Sequence, residues 1–426
     1  MTRLALSYFV VPPLALLLVF CEAGSDGQNT TEGSSTSASG GATGSGGAGG
    51  IGTTGPGGPG PANNMCPGAV QSFIWIANTA EGTLSKVCTI NGEEVARYTT
   101  SPQGATGDPS RTSVNLHGDA VVTNRDPEGG GSSVTKFAAD YQDCVDRNNN
   151  GEIETSEGGD QVLPWGEDEC MLWNTQLDPG AIGARATAWD GTEDPETGEG
   201  GHVFIGAMVN RTVYKLDGND GTILEQAATS IGHYGGAIDN NGNFWTVDMM
   251  CTVGSCTIER TSLADLSDRS THNVHCGYGI SVDAKGRIWT AGLAGLEGGC
   301  VSRFDPATNE NVWATTGGFG DFNRGVAVGF EASAGYVWAA NTVGDLIQVD
   351  METMDIVKRE LVGGQNMVGV AVDFEGFVWT VSQDAGTAYK IHPETWNVTP
   401  VQIGSGPYTY SDMTGVQLKG VIDPPK

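Results

Sequence analysis

In the C-terminal half of the chain, apolar and polar residues alternate at period two through short runs broken by Asp, Asn and Gly. The arrangement returns four times, as YGGAIDNNGNFWTVD (234–248), YGISVDAKGRIWTAG (278–292), GVAVGFEASAGYVWAAN (325–341) and VGVAVDFEGFVWTVS (368–382). Each copy reads as a strand, a tight turn and a second strand that carries a Trp: Trp245, Trp289, Trp338 and Trp379. Period-two alternation marks half-buried strands, and Asn-Gly or Lys-Gly between runs supplies the positive φ of a hairpin turn. Third strands follow at 301–308, 346–353 and 388–395. A unit of roughly 40 to 50 residues with this content is one four-stranded blade of a β-propeller.

Weaker copies extend upstream, at 111–125 with 133–137, and at 184–190 with 202–210 and 213–221. The first folded segment, SFIWIANTAEG (72–82), has its Trp strand but no inner strand ahead of it. The last, YSDMTGVQL (410–418), reads as an inner strand with no Trp strand behind it. These fragments complete one another, so the tail is expected to pair with the head and close a ring, removing the sheet edges that invite aggregation. The expected fold is all-β: a seven-bladed β-propeller over 66–426, with six or eight blades as alternatives.

The pattern G-x-G/A-[IV]-x-x-D-x-x-G-x-[IVF]-W-[TV], followed by K/R-[IF]-D/H-P-x-T, resembles the repeat of the streptogramin lyase (virginiamycin B lyase) family and, more loosely, the NHL propellers. It covers 230–418 well and 70–225 poorly. The resemblance implies the fold and, as chemistry, metal-assisted elimination across an ester of a cyclic depsipeptide. It also implies His and Glu at the channel mouth, in a Pro-His-Gly/Ala-Ile start of the inner strand and a Trp-Phe-Thr-Glu end of the Trp strand. This chain departs there. Its Trp strands end at Asp248, Gly292, Asn341 and Ser382, and only His233 lies near the His position. His233 and Asp248 are thus the candidate catalytic pair of a carbon–oxygen lyase or lactonase, which would need a second divalent metal.

Geometry supplies a candidate site without the family. The two innermost strands of a blade are antiparallel, so the start of one lies beside the end of the other on one face of the channel. Strand starts give Arg111, Arg185, His233, Tyr278, Arg324 and Asn366; strand ends give Asn78, Asn124, Asn210, Asp248, Asn341 and Gln383. Three Arg on one ring are unexpected in a chain with 21 Lys+Arg against 51 Asp+Glu. Guanidinium groups hold carboxylate or phosphate bidentately. Arg111, Arg185 and Arg324, with Asn78, Asn124 and Asn341, are therefore the candidate site for an anionic or polar ligand. The alternative is that each Arg bonds its own blade's carbonyls or a neighbouring Asp, and that the Asn residues form turns.

The net charge of −30 repels nucleic acid, which is excluded as a partner, and anionic membranes. Residues 4–20 are an apolar run behind Arg3, the shape of a signal peptide spanning 1–20. Pro12-Pro13 argues against a spanning helix. Leu18-Val19-Phe20-Cys21 resembles the lipobox of bacterial lipoproteins, although Phe20 departs from the small residue preferred there. The resemblance implies lipid on Cys21 and membrane contact through that anchor alone; the alternative is cleavage after Ala23 and secretion. Residues 21–65 then form a Gly/Ser/Thr tether with too little apolar surface to pack.

With Cys21 set apart, eight of the nine Cys remain, and in an oxidising compartment they pair. Sequence order, Cys66–Cys88, Cys144–Cys170, Cys251–Cys256 and Cys276–Cys300, is the simplest of many pairings.

One motif is sharp. Asp146-Arg-Asn148-Asn-Asn150-Gly151-Glu152-Ile153-Glu154-Thr-Ser-Glu157 fits the twelve-residue EF-hand loop. Asp146, Asn148 and Asn150 offer side-chain oxygens, Gly151 makes the turn, Glu152 gives its carbonyl, Glu154 takes position nine and Glu157 closes the loop. Hard oxygens at this spacing suit Ca²⁺ in a structural role, within an insertion at about 138–183 between blades two and three. The alternative is an acidic solvated loop. Together these features describe an exported, monomeric surface-binding module of the outer membrane or cell surface. The lyase or lactonase and a structural envelope protein are the alternatives.

Overall fold

The computed structural model describes residues 66–424, apart from 69–71, 127–130, 178–182, 250–254, 294–297 and 319. The signal segment 1–20, Cys21, the tether to residue 65 and Cys251 lie outside the described residues. Among the described residues seven antiparallel sheets follow one another, each with its strands in chain order. The first has three strands: Phe73–Asn78, Thr83–Cys88 and Glu94–Thr99. The other six have four, with inner strands Pro109–Val114, Ala184–Trp189, Gly235–Ile238, Gly279–Val282, Asn323–Val328 and Met367–Val372. These sheets are blades one to seven of a β-propeller.

Blade one takes its inner strand from the tail. Thr79 N donates to Gly406 O at 3.1 Å, Tyr408 N to Ala77 O at 2.9 Å and Trp75 N to Met413 O at 2.9 Å. On its other side the tail runs parallel to blade two, with Ser411 bridged to Thr112. The ring is closed by head and tail, as the two incomplete fragments require. The pattern places strand as far as 418, and here the structure differs: Val416–Ile422 is a helix. Asp412 is the cause. Its buried carboxylate accepts from Gly415 N and Leu418 N, both at 2.8 Å, and Gly415 turns the chain at φ 83, a conformation glycine adopts without a Cβ penalty. The helix buries Val416, Leu418 and Val421 in clusters with Val372, Trp189 and Val282 of blades seven, three and five. It lies across the lower end of the channel.

Six Trp fill the contacts of the blades: Trp75, Trp189, Trp245, Trp289, Trp338 and Trp379 are fully buried. In three repeats the Asp of the hairpin fixes the indole. Trp245, Trp289 and Trp379 donate Nε1–H to Asp239, Asp283 and Asp373 at 2.7, 2.9 and 2.8 Å. The other oxygen of each carboxylate accepts turn N–H groups, including Asn243, Arg287 and Phe377. Blade six has Gly329 where the others have Asp, and Trp338 Nε1 has no protein partner.

Cys66–Cys88, Cys144–Cys170 and Cys276–Cys300 are disulfides, and Cys256 is disulfide-bonded as well. The insertion falls within blade two rather than after it, because Met171–Gln176 is that blade's fourth strand. Buried Trp173 anchors that strand by donating to Gly218 O of blade three at 3.2 Å.

Candidate functional site

The site begins with one register position. Arg111, Arg185, Tyr234, Tyr278, Arg324, Val368 and Tyr410 stand at the same place relative to the inner strands of successive blades and the tail. At the upper end of the channel their side chains converge. The Arg111 guanidinium lies 4.0 Å from the Tyr410 ring and 4.8 Å from that of Tyr234. Arg185 lies 4.4 Å from the Tyr234 ring, so two guanidinium groups share one aromatic face.

Tyr408 completes the group, two residues above Tyr410 on the tail. Its hydroxyl meets those of Tyr234 at 2.6 Å and Tyr278 at 2.7 Å, and Tyr410 donates to Tyr278 at 3.5 Å. Arg185 Nη1 reaches the Tyr408 oxygen at 3.5 Å. Arg125, from the loop after blade two's second strand, lies 4.9 Å from the Tyr408 ring and is ion-paired to Asp108.

Burial raises the phenol of Tyr408, but Arg185, Arg125 and Arg111 outweigh it and bring the pKa down to about 6. Burial drives Tyr234, Tyr278 and Tyr410 well above the usual phenol value. The four tyrosines therefore divide into one whose ionisation the surrounding arginines favour and three held protonated by burial, of which Tyr234 and Tyr278 meet its oxygen and Tyr410 meets Tyr278.

Unlike Arg125, the guanidinium groups of Arg111, Arg185 and Arg324 have no ion pair with a carboxylate among the described residues. Arg111 is 1% exposed, and its Nε and Nη2 have no hydrogen-bond partner from the protein. Arg185 Nε and Arg324 Nε are in the same condition. Arg324 Nη1 donates to Gln383 at 3.3 Å, a neutral acceptor. Burial pushes the Arg111 guanidinium below its ordinary value, outweighing the neighbouring tyrosines, as expected of a cation removed from water.

Partial likenesses are found among solved structures. Virginiamycin B lyase from Staphylococcus aureus is similar over 72% of this chain and 90% of its own, with 10% identity and a TM-score of 0.48. A catalytically inactive form of that lyase with Quinupristin covers 69% and 84%, with 12% identity and a TM-score of 0.46. BamB from Moraxella catarrhalis covers 79% and 93%, with 14% identity and a TM-score of 0.42. These are likenesses of fold. No family model and no curated protein matches the chain.

The remaining candidates occupy different surroundings. His233 is fully buried, with Nε2 3.0 Å from Glu259 Oε1 of the same blade. Gly206 of blade three admits it; a Cβ there would fall 2.4 Å from that of His233. Asp248 is half-buried just past the Trp strand of blade four, its N–H donating to Thr257 O at 3.0 Å.

The Asn residues turn inward. Asn78 donates to Thr83 and Ser85 at 3.1 and 2.8 Å, and Asn124 to Thr100 O and Ser133 at 3.0 and 3.1 Å. Asn341 accepts from Val343 N and Asp345 N at 3.2 and 3.0 Å. All three brace strand ends, and each keeps one buried side-chain atom, Asn78 Oδ1, Asn124 Oδ1 and Asn341 Nδ2, without a hydrogen bond among the described residues.

The acidic loop is preshaped. Asp146 accepts from Asn150 N and Gly151 N at 3.2 and 2.9 Å, Asn148 Oδ1 from Asn150 N at 2.9 Å, and Asn150 Oδ1 from Glu152 N at 2.8 Å. The amides of Asn148 and Asn150 both donate to Glu154, at 2.9 and 2.6 Å. Glu157 pairs its backbone with Gln161 at the edge of the loop. A carboxylate outside the twelve residues organises the centre: buried Glu169 accepts from Arg147 N at 2.7 Å, Asn148 N at 3.4 Å and Glu154 N at 3.0 Å. Nothing in the loop's spacing pointed to it.

His117, Asp119 and Asp143 form a further cluster, with ligand atoms within 4.8 Å of one another. His117 Nε2 is 2.9 Å from Asp143, and the Lys136 ammonium is 3.1 Å from Asp119. The charges compensate internally, which gives the cluster a bracing role between blade two and its insertion.

Proposed function

We propose that the protein is an exported binding module that takes an anionic ligand at the upper mouth of the channel, on Arg111, Arg185 and Arg324, with a calcium ion in loop 146–157 as a structural brace. One observation carries the reading: Arg111 is buried against the Tyr234 and Tyr410 rings with two nitrogens that find no hydrogen-bond acceptor among the described residues. A buried donor left unmade costs about 1–3 kcal/mol, more when charged. Such an arrangement is costly for a scaffold and useful for a site. The disulfides support residence in an oxidising compartment, and lipid on Cys21 would hold the domain at a membrane.

The lyase reading would require His233 and Asp248 to meet over a metal. The buried contact of His233 with Glu259 supports a structural role for the imidazole instead. Titration calorimetry of the purified domain with sulfate and acetate tests the proposal. Arg111→Met and Arg324→Met should each lower affinity at least tenfold, while Asp248→Ala leaves it unchanged. Equal binding by all the variants would overturn the reading.

A further inference from the structure

We propose that the channel mouth binds its oxyanion together with a proton: the anion seats on the arginines while Tyr408 is a neutral phenol, and without it the Tyr408 phenolate is the arginines' internal counter-ion. The inference rests on the anion-binding reading above.

Donor and acceptor arithmetic comes first. The hydroxyls of Tyr234, Tyr408, Tyr278 and Tyr410 are joined in that order by three contacts. The three links use three of the four hydroxyl protons, so the fourth points out of the chain of tyrosines or is given up. The guanidinium groups cannot take it, since Arg is a donor only. Where the set gives up a proton, the oxygen that should lose it is the one with most donors around it. That oxygen is Tyr408's, reached from both sides by phenols and by Arg185.

The charges facing Tyr408 agree. Arg111 comes from blade two, Arg125 from the loop beside it, Arg185 from blade three and Arg324 from blade six. Tyr234 and Tyr278 face it from blades four and five, and Tyr410 from its own segment. Asp108 is already paired to Arg125. A phenolate at Tyr408 is thus the counter-charge the fold itself supplies, and burial makes the attraction strong.

A bound oxyanion brings a second negative charge to the same guanidinium groups. Phenolate and anion then repel each other, and uptake of one proton by the Tyr408 oxygen relieves the conflict. The balance is simple: phenolate, proton and anion give phenol and bound anion, with no other bond changed. Linkage follows, because whatever raises proton affinity on binding makes binding weaker as protons become scarce. Above the pH at which Tyr408 ionises in the free protein, affinity should fall about tenfold per pH unit.

Sulfate and acetate are suitable probes, since neither titrates near neutral pH. Calorimetry in two buffers of different ionisation heat reads the protons taken up. The ultraviolet difference band of tyrosinate reads Tyr408 directly. The expected result at pH 8 is about one proton per anion, loss of the tyrosinate band on binding, and affinity about tenfold below that at pH 7. Tyr408→Phe should bind with affinity flat in pH and no proton uptake; if that variant does not fold, the wild-type measurements decide alone. Binding without proton uptake and with the tyrosinate band unchanged would overturn the inference and leave the anion site standing. Failure of both anions to bind at any pH would remove the site and the inference together.

Discussion

Trp75 donates its backbone N–H to the carbonyl of Met413 at 2.9 Å, so the first strand of the folded region is hydrogen-bonded to the last extended segment. The ring's integrity passes through that seam. Removal of residues 407–426 takes away blade one's inner strand together with Tyr408 and Tyr410. The truncated protein should lose its cooperative thermal transition in calorimetry, whereas removal of 423–426 should leave melting unchanged. A sharp transition in the shorter protein would mean that the remaining six blades and three strands stand without closure.

The Asp–Trp pair is expected to act as a lock within each repeat that has it. Asp373 is fully buried, and Asp373→Ala would strand the Trp379 N–H and the N–H groups of the turn. The expected cost is about 1–3 kcal/mol in urea denaturation. Asp373→Ala and Trp379→Phe should be non-additive, since both break the same contact.

His117 gives a pH signature. Its hydrogen bond to Asp143 outweighs burial and raises the imidazole to about 9. A base raised on folding stabilises fully below its unfolded pKa, near 6.5, and the benefit is lost as pH rises through about 9. The imidazole resonance should titrate near 9 by NMR, and Asp143→Asn should move it down. A midpoint at the unperturbed value would refute the pairing in solution.

Calcium should raise the melting temperature of the domain, and a chelator should reverse the effect. Asp146→Ala is expected to abolish the calcium response, because Asp146 supplies oxygens at the loop's first position. Glu169→Gln should lower stability even without calcium, since its carboxylate gathers three backbone N–H groups. A calcium response that survives Asp146→Ala would place the ion elsewhere.

Blades four, five and seven were legible because the Asp, Gly and Trp of each hairpin repeat as one unit, and the Asp–Trp bond explains why those residues travel together; blade six was legible from its Trp338 strand. Closure was legible because two incomplete blades implied each other. The helix Val416–Ile422 was not, since its apolar residues fit a strand equally well and Asp412's capping role depends on the folded turn. At the mouth, Arg111, Arg185 and Arg324 were found from strand starts. Tyr234 was missed by one position in favour of His233, because a charged residue draws attention that a tyrosine does not. Tyr408 and Tyr410 escaped notice because the tail has no Trp strand to set their register. Glu169 was hidden by distance along the chain.

A propeller stoppered at its base by Leu418 and its neighbours is a cup, not a conduit. An anion bound as proposed would enter and leave by the same rim, past a single doorway of arginine and tyrosine.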